Sequence, residues 1–244
     1  MQDIAQEFME KTKYKYQGVS DQSSKIPQPP LEAEYDLLKP KISLPPPASL
    51  PYGQKPLIEL INGRRSLRQY SNLALSLEEL SYLLWCTQGV KKEKPGVVTF
   101  RTVASAGARH AFETYLLINR VEGLKPGLYR FLALEHKLIE INMEADIVDR
   151  TIAGCMGQGF VGDSAVTFIW AADVERMKWR YDVRGYRYLH LDAGHVCQNL
   201  YLAAESIDCG VCAIAAFDDD EINQVLGLNG VQQFVIYVAA AGKK

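Results

Sequence analysis

Residues 180–199 read RYDVRGYRYLHLDAGHVCQN, placing three arginines and three tyrosines ahead of a segment with helical periodicity. Leu189, Ala193, Val196, Leu200 and Ala203 recur at three- and four-residue steps. That spacing predicts a helix over about 186–206. His190, Gly194, Gln198, Tyr201 and Glu205 form a second line on the same helix, so it is expected to be covered on more than one side. Ala193 and Gly194 are small enough to let another backbone approach. A core helix crossing accounts for the stripe but leaves the cations and aromatic rings before it without a role.

The chain on either side mixes helix and strand patterns. Ser76-Leu77-Glu78-Glu79 is a capping box, and Leu77, Leu80, Leu83 and Leu84 continue it as a helical apolar face ending near Gly89. Segments 114–119, 127–131 and 137–141 read as strands, the last two turning at Leu134-Glu135-His136, and a helical segment spans about 144–155. The nearly continuous apolar runs 165–172 and 234–241 suit buried central strands. This order is neither strict βαβ alternation nor all helix, and predicts an α+β domain of two or three layers.

Composition changes once, near residue 55. Nine of the eleven prolines fall between residues 20 and 56, which excludes regular helix or central strand there. We divide the chain into a proline-rich arm, 1–54, and a folded domain, 55–244. Leu31, Tyr35, Leu37, Leu38, Ile42, Leu44 and Leu50 in the arm favour its lying on a folded surface, its own or that of a partner subunit; a disordered leader is the alternative.

In 244 residues, 27 Lys and Arg against 29 Asp and Glu leave a formal charge of −2, which gives no drive toward nucleic acid or an anionic membrane. The basic run Lys91-Lys92-Glu93-Lys94 beside Pro95-Gly96 reads as a solvated loop. No apolar stretch approaches the ~20 residues of a membrane span, the stretch MQDIAQEFMEK lacks a signal peptide's apolar segment, and five scattered cysteines suit a reducing compartment, so a cytoplasmic address is expected.

A second cationic cluster stands at 62–70, Asn-Gly-Arg-Arg-Ser-Leu-Arg-Gln-Tyr, after the apolar helix PLIELI. Arg64, Arg65 and Arg68 offer planar forks of donors and Ser66 a hydroxyl, a set suited to phosphate; a solvated basic corner is the plainer reading. This cluster, Ser105-Ala106-Gly107-Ala108-Arg109-His110, Gly127-Leu128-Tyr129, Arg184-Gly185-Tyr186-Arg187-Tyr188 through Gly194-His195-Val196-Cys197-Gln198-Asn199-Leu200, and Cys212-Ala213-Ile214-Ala215-Ala216-Phe217-Asp218 occur in one order. Together, over about 55–242, they resemble the SagB-type dehydrogenases, a branch of the FMN-dependent nitroreductase family.

The resemblance implies an α+β fold with a central, mostly antiparallel sheet flanked by helices, an intertwined homodimer and FMN at the subunit interface. Carried over by position, Arg64, Arg65, Ser66 and Arg68 would hold the phosphate and ribityl chain. Ser105, Ala106, Gly107 and Arg109 would approach the flavin from the other subunit. Ala213, Ile214, Ala215 and Ala216 would run along its N5/O4 edge, where donors stabilise the charge of reduced flavin. Lys243 is a candidate phosphate ligand. Trp179, Arg180 and Arg184, with Tyr186, would line the substrate side.

The sequence departs from the family where it bears on chemistry. Azole-forming SagB members present a Lys-Tyr pair that removes a proton; here the pair is Arg180-Tyr181. A guanidinium stays protonated and makes no base, which leaves Tyr181 as the catalytic candidate. The expected activity is hydride transfer between FMN and a small molecule or a peptide heterocycle. The alternatives are an NADH- or NADPH-dependent reductase of nitroaromatics or quinones, and a flavin-binding or interaction protein without turnover.

Other motifs carry less. Gly157-Gln158-Gly159-Phe160-Val161-Gly162 has dinucleotide-fingerprint spacing but follows a helical segment and leads into a strand, the reverse of what that site needs. Cys209-Gly210-Val211-Cys212 lacks a thioredoxin-like context. His190 and His195 point to different helix faces and imply no metal, and Asp192 beside His195 has no nucleophile to serve.

Overall fold

Ser76 caps its helix as its spacing requires: the hydroxyl accepts from the Glu79 amide at 3.1 Å, and the Glu79 carboxylate accepts from the Ser76 amide at 2.9 Å. A computed structural model describes residues 3–244. In chain order its elements are α1 (Ile4–Lys11), β1 (Lys41–Ser43), α2 (Leu57–Gly63), α3 (Leu77–Gln88), β2 (Val90–Lys94), β3 (Val98–Arg101), β4 (Phe112–Ile118), β5 (Gly127–Leu132), β6 (Lys137–Asn142), α4 (Ile147–Gly154), α5 (Phe160–Asp163), β7 (Val166–Asp173), α6 (Val174–Tyr181), α7 (Gly185–Ser206), β8 (Cys209–Ile214), α8 (Asp219–Leu226) and β9 (Gln233–Lys243).

Seven strands form one antiparallel sheet in the order β1-β6-β5-β4-β7-β9-β8. Both faces of its centre are buried, so β4 and β7 are buried at nearly every position instead of alternating, and β7 is a nearly continuous apolar run. Leu116, Phe168, Trp170 and Ala239 turn to one face, under Leu80 and Leu84 of α3 and Leu189, Val196 and Leu200 of α7. Leu117, Ile169 and Val238 turn to the other, under Ile147 of α4 and Ile222 of α8. Burying each of these larger side chains contributes about 1.5–3 kcal/mol. The product is the three-layer α+β arrangement, with α7 lying along the sheet as the longest helix.

Two expectations change. The run at 90–94 is not a loop but strand β2, paired antiparallel with β3; its Lys91, Lys92 and Lys94 are exposed, and the pairing comes from the register Lys92↔Phe100 and Lys94↔Val98. The second line of α7 is covered within the chain only toward its end: His190, Gly194 and Gln198 are exposed, as are the neighbouring Leu191 and His195, whereas Tyr201 and Glu205 are half-buried and bonded to Ser66, Ala213 and Lys244.

The arm is built onto its own chain. At the sheet edge β1 pairs with β6, a place where a short strand between prolines is tolerated. Farther back, the Ala33 amide donates to Glu113 at 2.7 Å and the Arg130 guanidinium donates to the Ala33 and Glu34 carbonyls. Glu113 is itself buried between Arg130 and Arg176. Burial works against its charge, yet the two guanidiniums hold its carboxyl below the ordinary range. Removing one partner from a buried pair of this kind costs about 3–5 kcal/mol.

Candidate active site

The phosphate-type cluster begins where α2 ends, with Arg64 as its C-cap. From there the chain runs extended beside β8: Ser66 bridges Val211 in parallel, and the Leu67 amide donates to the Val211 carbonyl at 2.9 Å. Gly210 permits this approach, since a side chain there would lie within 2.6 Å of Leu67 Cβ. The Cys209-Gly210-Val211-Cys212 spacing is therefore a packing feature. Both thiols are free and buried, and burial pushes Cys209 up to about 12 and raises Cys212 as well, the opposite of a reactive dithiol.

Tyr201 ties the 64–68 and 212–216 motifs into one surface, a role the sequence reading missed. Its hydroxyl lies 3.0 Å from Ser66 Oγ and accepts from the Ala213 amide at 2.9 Å, while the Arg64 guanidinium sits 5.2 Å above its ring. The signal was Tyr201's place on the second line of α7. Arg65, Ser66 and Arg68 are exposed, and among the described residues none of the three arginines has a carboxylate partner. Unpaired guanidiniums close in sequence to a hydroxyl, with Arg64 over the Tyr201 ring that bonds Ser66, suit a phosphate dianion. Lys243 differs: it is paired with Glu79, and Lys244 with Glu205. Of the sequence candidates, the three arginines present donors without a carboxylate partner among the described residues, Ser66 shares its hydroxyl with Tyr201, and Lys243 is held by Glu79.

Beyond Ile214 the chain leaves β8, and Ala215 and Ala216 are exposed. Ala215 joins His190, Ala193, Gly194, Ile236 and Tyr237 around a cavity of about 330 Å³ on the uncovered side of α7. A larger cavity, about 630 Å³, lies under the arm between Pro30 and Glu135, away from both motifs. Size does not locate the site here, because the α7 cavity is open along a face that the chain leaves uncovered.

The second group of residues gathers at the other end of α7. Residues 105–110 form a tight loop in which Gly107, Ala108 and His110 all take positive φ, of 55°, 52° and 44°. The Ala106 amide anchors it by donating to Asp192 at 3.1 Å, and the His110 amide donates to Ser105 Oγ at 2.9 Å. Burial raises the Asp192 carboxyl above its ordinary range despite those donors. Burial, then the Arg101 and Arg109 charges, drive the His110 imidazole down to about 3, so it stays neutral.

Gly107 faces Tyr181. A side chain at Gly107 would collide with the Tyr181 hydroxyl and with Arg180, whose Nε would lie 3.0 Å from it. The Tyr181 ring stands edge-on to Tyr188 at 4.8 Å between centroids, and the Arg180 guanidinium is 5.7 Å from the Tyr181 ring. Arg109 is buried, with its guanidinium 5.1 Å over the Trp179 ring; burial and the neighbouring Arg180 charge lower its pKa.

Two sequence candidates are engaged by the arm. The Trp179 indole N–H donates to the Ile26 carbonyl at 2.8 Å. Arg184 donates to the Thr12 carbonyl and to the Tyr188 hydroxyl, both at 2.8 Å, and lies 4.3 Å over Tyr14. Arg180 is the exposed cation of the set. The sequence reading missed Asp192, Tyr188 and the arm's contribution. Among the described residues no group of His, Cys, Asp and Glu is gathered to hold a metal, and no helix is long and apolar enough to cross a membrane.

Asp192 and Tyr201 are nine residues apart on α7, about 13 Å along the helix. The Ser105–Arg109 loop and the Arg64–Arg68 cluster thus stand at separate places on one chain.

The nitroreductase family profile matches residues 61–243, so the chain belongs to that family of flavin-dependent oxidoreductases. It is 32% identical over 188 residues to MJ1384 of Methanocaldococcus jannaschii, a protein that carries the nitroreductase name, covering 77% of this chain and 91% of that one. It is 26% identical over 154 residues to the trifolitoxin-processing protein TfxB of Rhizobium leguminosarum bv. trifolii, covering 62% of this chain and 41% of TfxB. Among solved structures it superposes on a nitroreductase-named protein from Anabaena variabilis with a TM-score of 0.69 and 27% identity, covering 87% of this chain and 45% of that one.

Proposed function

We propose that the chain is an FMN-dependent dehydrogenase of the SagB type, working as a cytoplasmic homodimer without metal and oxidising a small molecule or a heterocycle in a peptide. The observation that carries this reading is the Tyr181 hydroxyl set against Gly107, with the Arg180 guanidinium 5.7 Å from its ring. Similarity to a protein named for processing a peptide toxin supports it.

FMN, when bound, supplies the two-electron acceptor. Arg64, Arg65, Ser66 and Arg68 hold its phosphate and ribityl chain; Lys243 would have to exchange Glu79 for phosphate to join them. Ala213 and Ile214 are fixed in β8 and set the course of Ala215 and Ala216 along the flavin edge. Ser105, Ala106 and Gly107 are small residues held by Asp192 where a second subunit's flavin would sit. Tyr181 relays the proton that leaves with the hydride, accepting it as its own hydroxyl proton passes to solvent, with the Arg180 guanidinium beside its ring, and Trp179 and Arg184 shape the substrate side through their contacts with the arm.

Leu191 on the exposed face of α7 and the exposed Leu57, Ile58 and Ile61 of α2 give such a dimer apolar surface to bury. Sedimentation at low protein concentration is expected to show a flavin-loaded dimer. A stable, flavin-loaded monomer is the outcome that rejects this assembly.

Arg180 in place of the family's lysine favours a second reading, an NADH- or NADPH-dependent reductase that delivers hydride to quinones or nitroaromatics. Releasing the flavin and identifying it, then titrating the holoprotein anaerobically with NADH and NADPH, separates the two. Rapid bleaching by either nucleotide establishes the reductase; flavin that stays oxidised under both supports the dehydrogenase. Arg180→Lys restores the family's pair and is expected to raise oxidation of a thiazoline probe to the thiazole, measured by mass spectrometry.

A further inference from the structure

The residue after Tyr181 has a backbone that L-amino acids rarely adopt. Asp182 lies at φ 46°, ψ −144°, outside the ordinary left-handed well, between the end of α6 and the start of α7. Such a conformation persists only where its surroundings over-determine it, and it is found preferentially where a neighbouring side chain must be aimed. Three sets of contacts fix it. The Asp182 carboxylate accepts from the Gly18 amide of the arm at 3.1 Å. On the α6 side the Trp179 carbonyl accepts from the Gln22 amide at 2.8 Å, and the Trp179 indole is bonded to Ile26. On the α7 side Arg184 and Arg187 reach Thr12, and Tyr14 meets the Tyr188 hydroxyl at 3.2 Å. The arm therefore grips the chain on both sides of Tyr181 and at the strained residue between.

We propose that Asp182 is a positioning residue for Tyr181, held in its strained conformation by the Gly18 amide, so that the arm sets the direction of the Tyr181 hydroxyl toward Gly107. An unstrained backbone at 182 swings the end of α6 relative to the start of α7. The Tyr181 ring then leaves its edge-on contact with Tyr188. This inference rests on the reading of Tyr181 as the proton-exchanging group only for its catalytic consequence; the geometric statement stands by itself.

The test uses the full-length, flavin-loaded protein with 3-fluorotyrosine at position 181, read by fluorine nuclear magnetic resonance. The parent is expected to give one resonance displaced from the solvent-exposed value. Asp182→Ala is expected to move or broaden it toward that value. Asp182→Asn keeps an acceptor for the Gly18 amide and a side chain tolerant of positive φ, and is expected to restore the parent line. Gly18→Pro removes the donor, follows a Gln17 backbone at φ −69°, ψ 123° that suits a residue before proline, and is expected to reproduce the Asp182→Ala spectrum. Asp182→Gly relieves the backbone and is expected to retain the parent's melting temperature while losing the displaced line, which a merely structural role would not produce.

An unchanged fluorine line in both Asp182→Ala and Gly18→Pro overturns the proposal. Turnover of the thiazoline probe is expected to fall about 10²-fold in Asp182→Ala, the scale of an ångström-sized misplacement. If the line moves while Tyr181→Phe leaves turnover unchanged, positioning stands and the proton-exchange reading fails.

Discussion

Tyr181→Phe is expected to slow oxidation of the substrate by about 10²–10⁴-fold while flavin content stays at the parent level. The substitution removes one oxygen, and that oxygen is the group placed against Gly107. The ring and its edge-on packing with Tyr188 remain, so the end of α6 has no reason to move. Arg180 cannot substitute, because a guanidinium offers donors and no basic lone pair. His110 lies in the same loop as Gly107 and is neutral, but it is buried under Ser105 and Arg101 and is not among the groups facing Tyr181. Single-turnover mixing of oxidised enzyme with substrate measures the step directly. Flavin bleaching at the parent rate in Tyr181→Phe removes the residue from the mechanism; a changed affinity with an unchanged limiting rate assigns it to binding, as a hydride-only reductase requires.

The cationic cluster was legible as a residue type: Arg64, Arg65, Ser66 and Arg68 read either as an anion site or as a solvated basic corner, and in the structure Arg65, Ser66 and Arg68 are exposed and Arg64 is half-buried. The strands at 165–172 and 234–241 were legible because burial on both faces leaves an unbroken apolar run, seen as β7 and β9. The β2–β3 hairpin was hidden because its pairing is carried by backbone, while its side chains are the lysines of a solvated surface. Tyr201 was hidden for another reason: its partners, Ser66 and Ala213, are 135 and 12 residues away, and no local pattern encodes a contact between separate segments. The arm shows both limits. Its prolines predicted an extended path, and nothing local predicted that Thr12, Gly18 and Gln22 would close on the residues around Tyr181.

Replacing Arg64 and Arg68 together by alanine is expected to give folded, dimeric protein that is largely colourless. Neither side chain has a carboxylate partner among the described residues, so little of the fold depends on their charge. Arg64 does lie over the Tyr201 ring, a contact worth about 0.5–1 kcal/mol at an exposed site. Tyr201 keeps its bonds to Ser66 and Ala213 without it. Against that small structural loss, two of the three guanidiniums available to a phosphate disappear. A hydrogen bond to a charged group contributes about 1.5–3 kcal/mol, so losing one from each arginine weakens flavin binding by about 10²–10⁴-fold. The single variants separate two roles. Arg68→Ala removes a donor from an exposed position, whereas Arg64→Ala also removes a cation from over the Tyr201 ring, beside the Ala213 amide at the start of the flavin edge. Arg64→Ala is therefore expected to alter the absorption spectrum of whatever flavin remains as well as its amount, and Arg68→Ala its amount alone. Fluorimetric titration of the flavin-free protein with FMN gives both affinities. Full flavin occupancy in the double variant would show that the phosphate is held elsewhere, with Arg65 and Lys243 the first residues to examine.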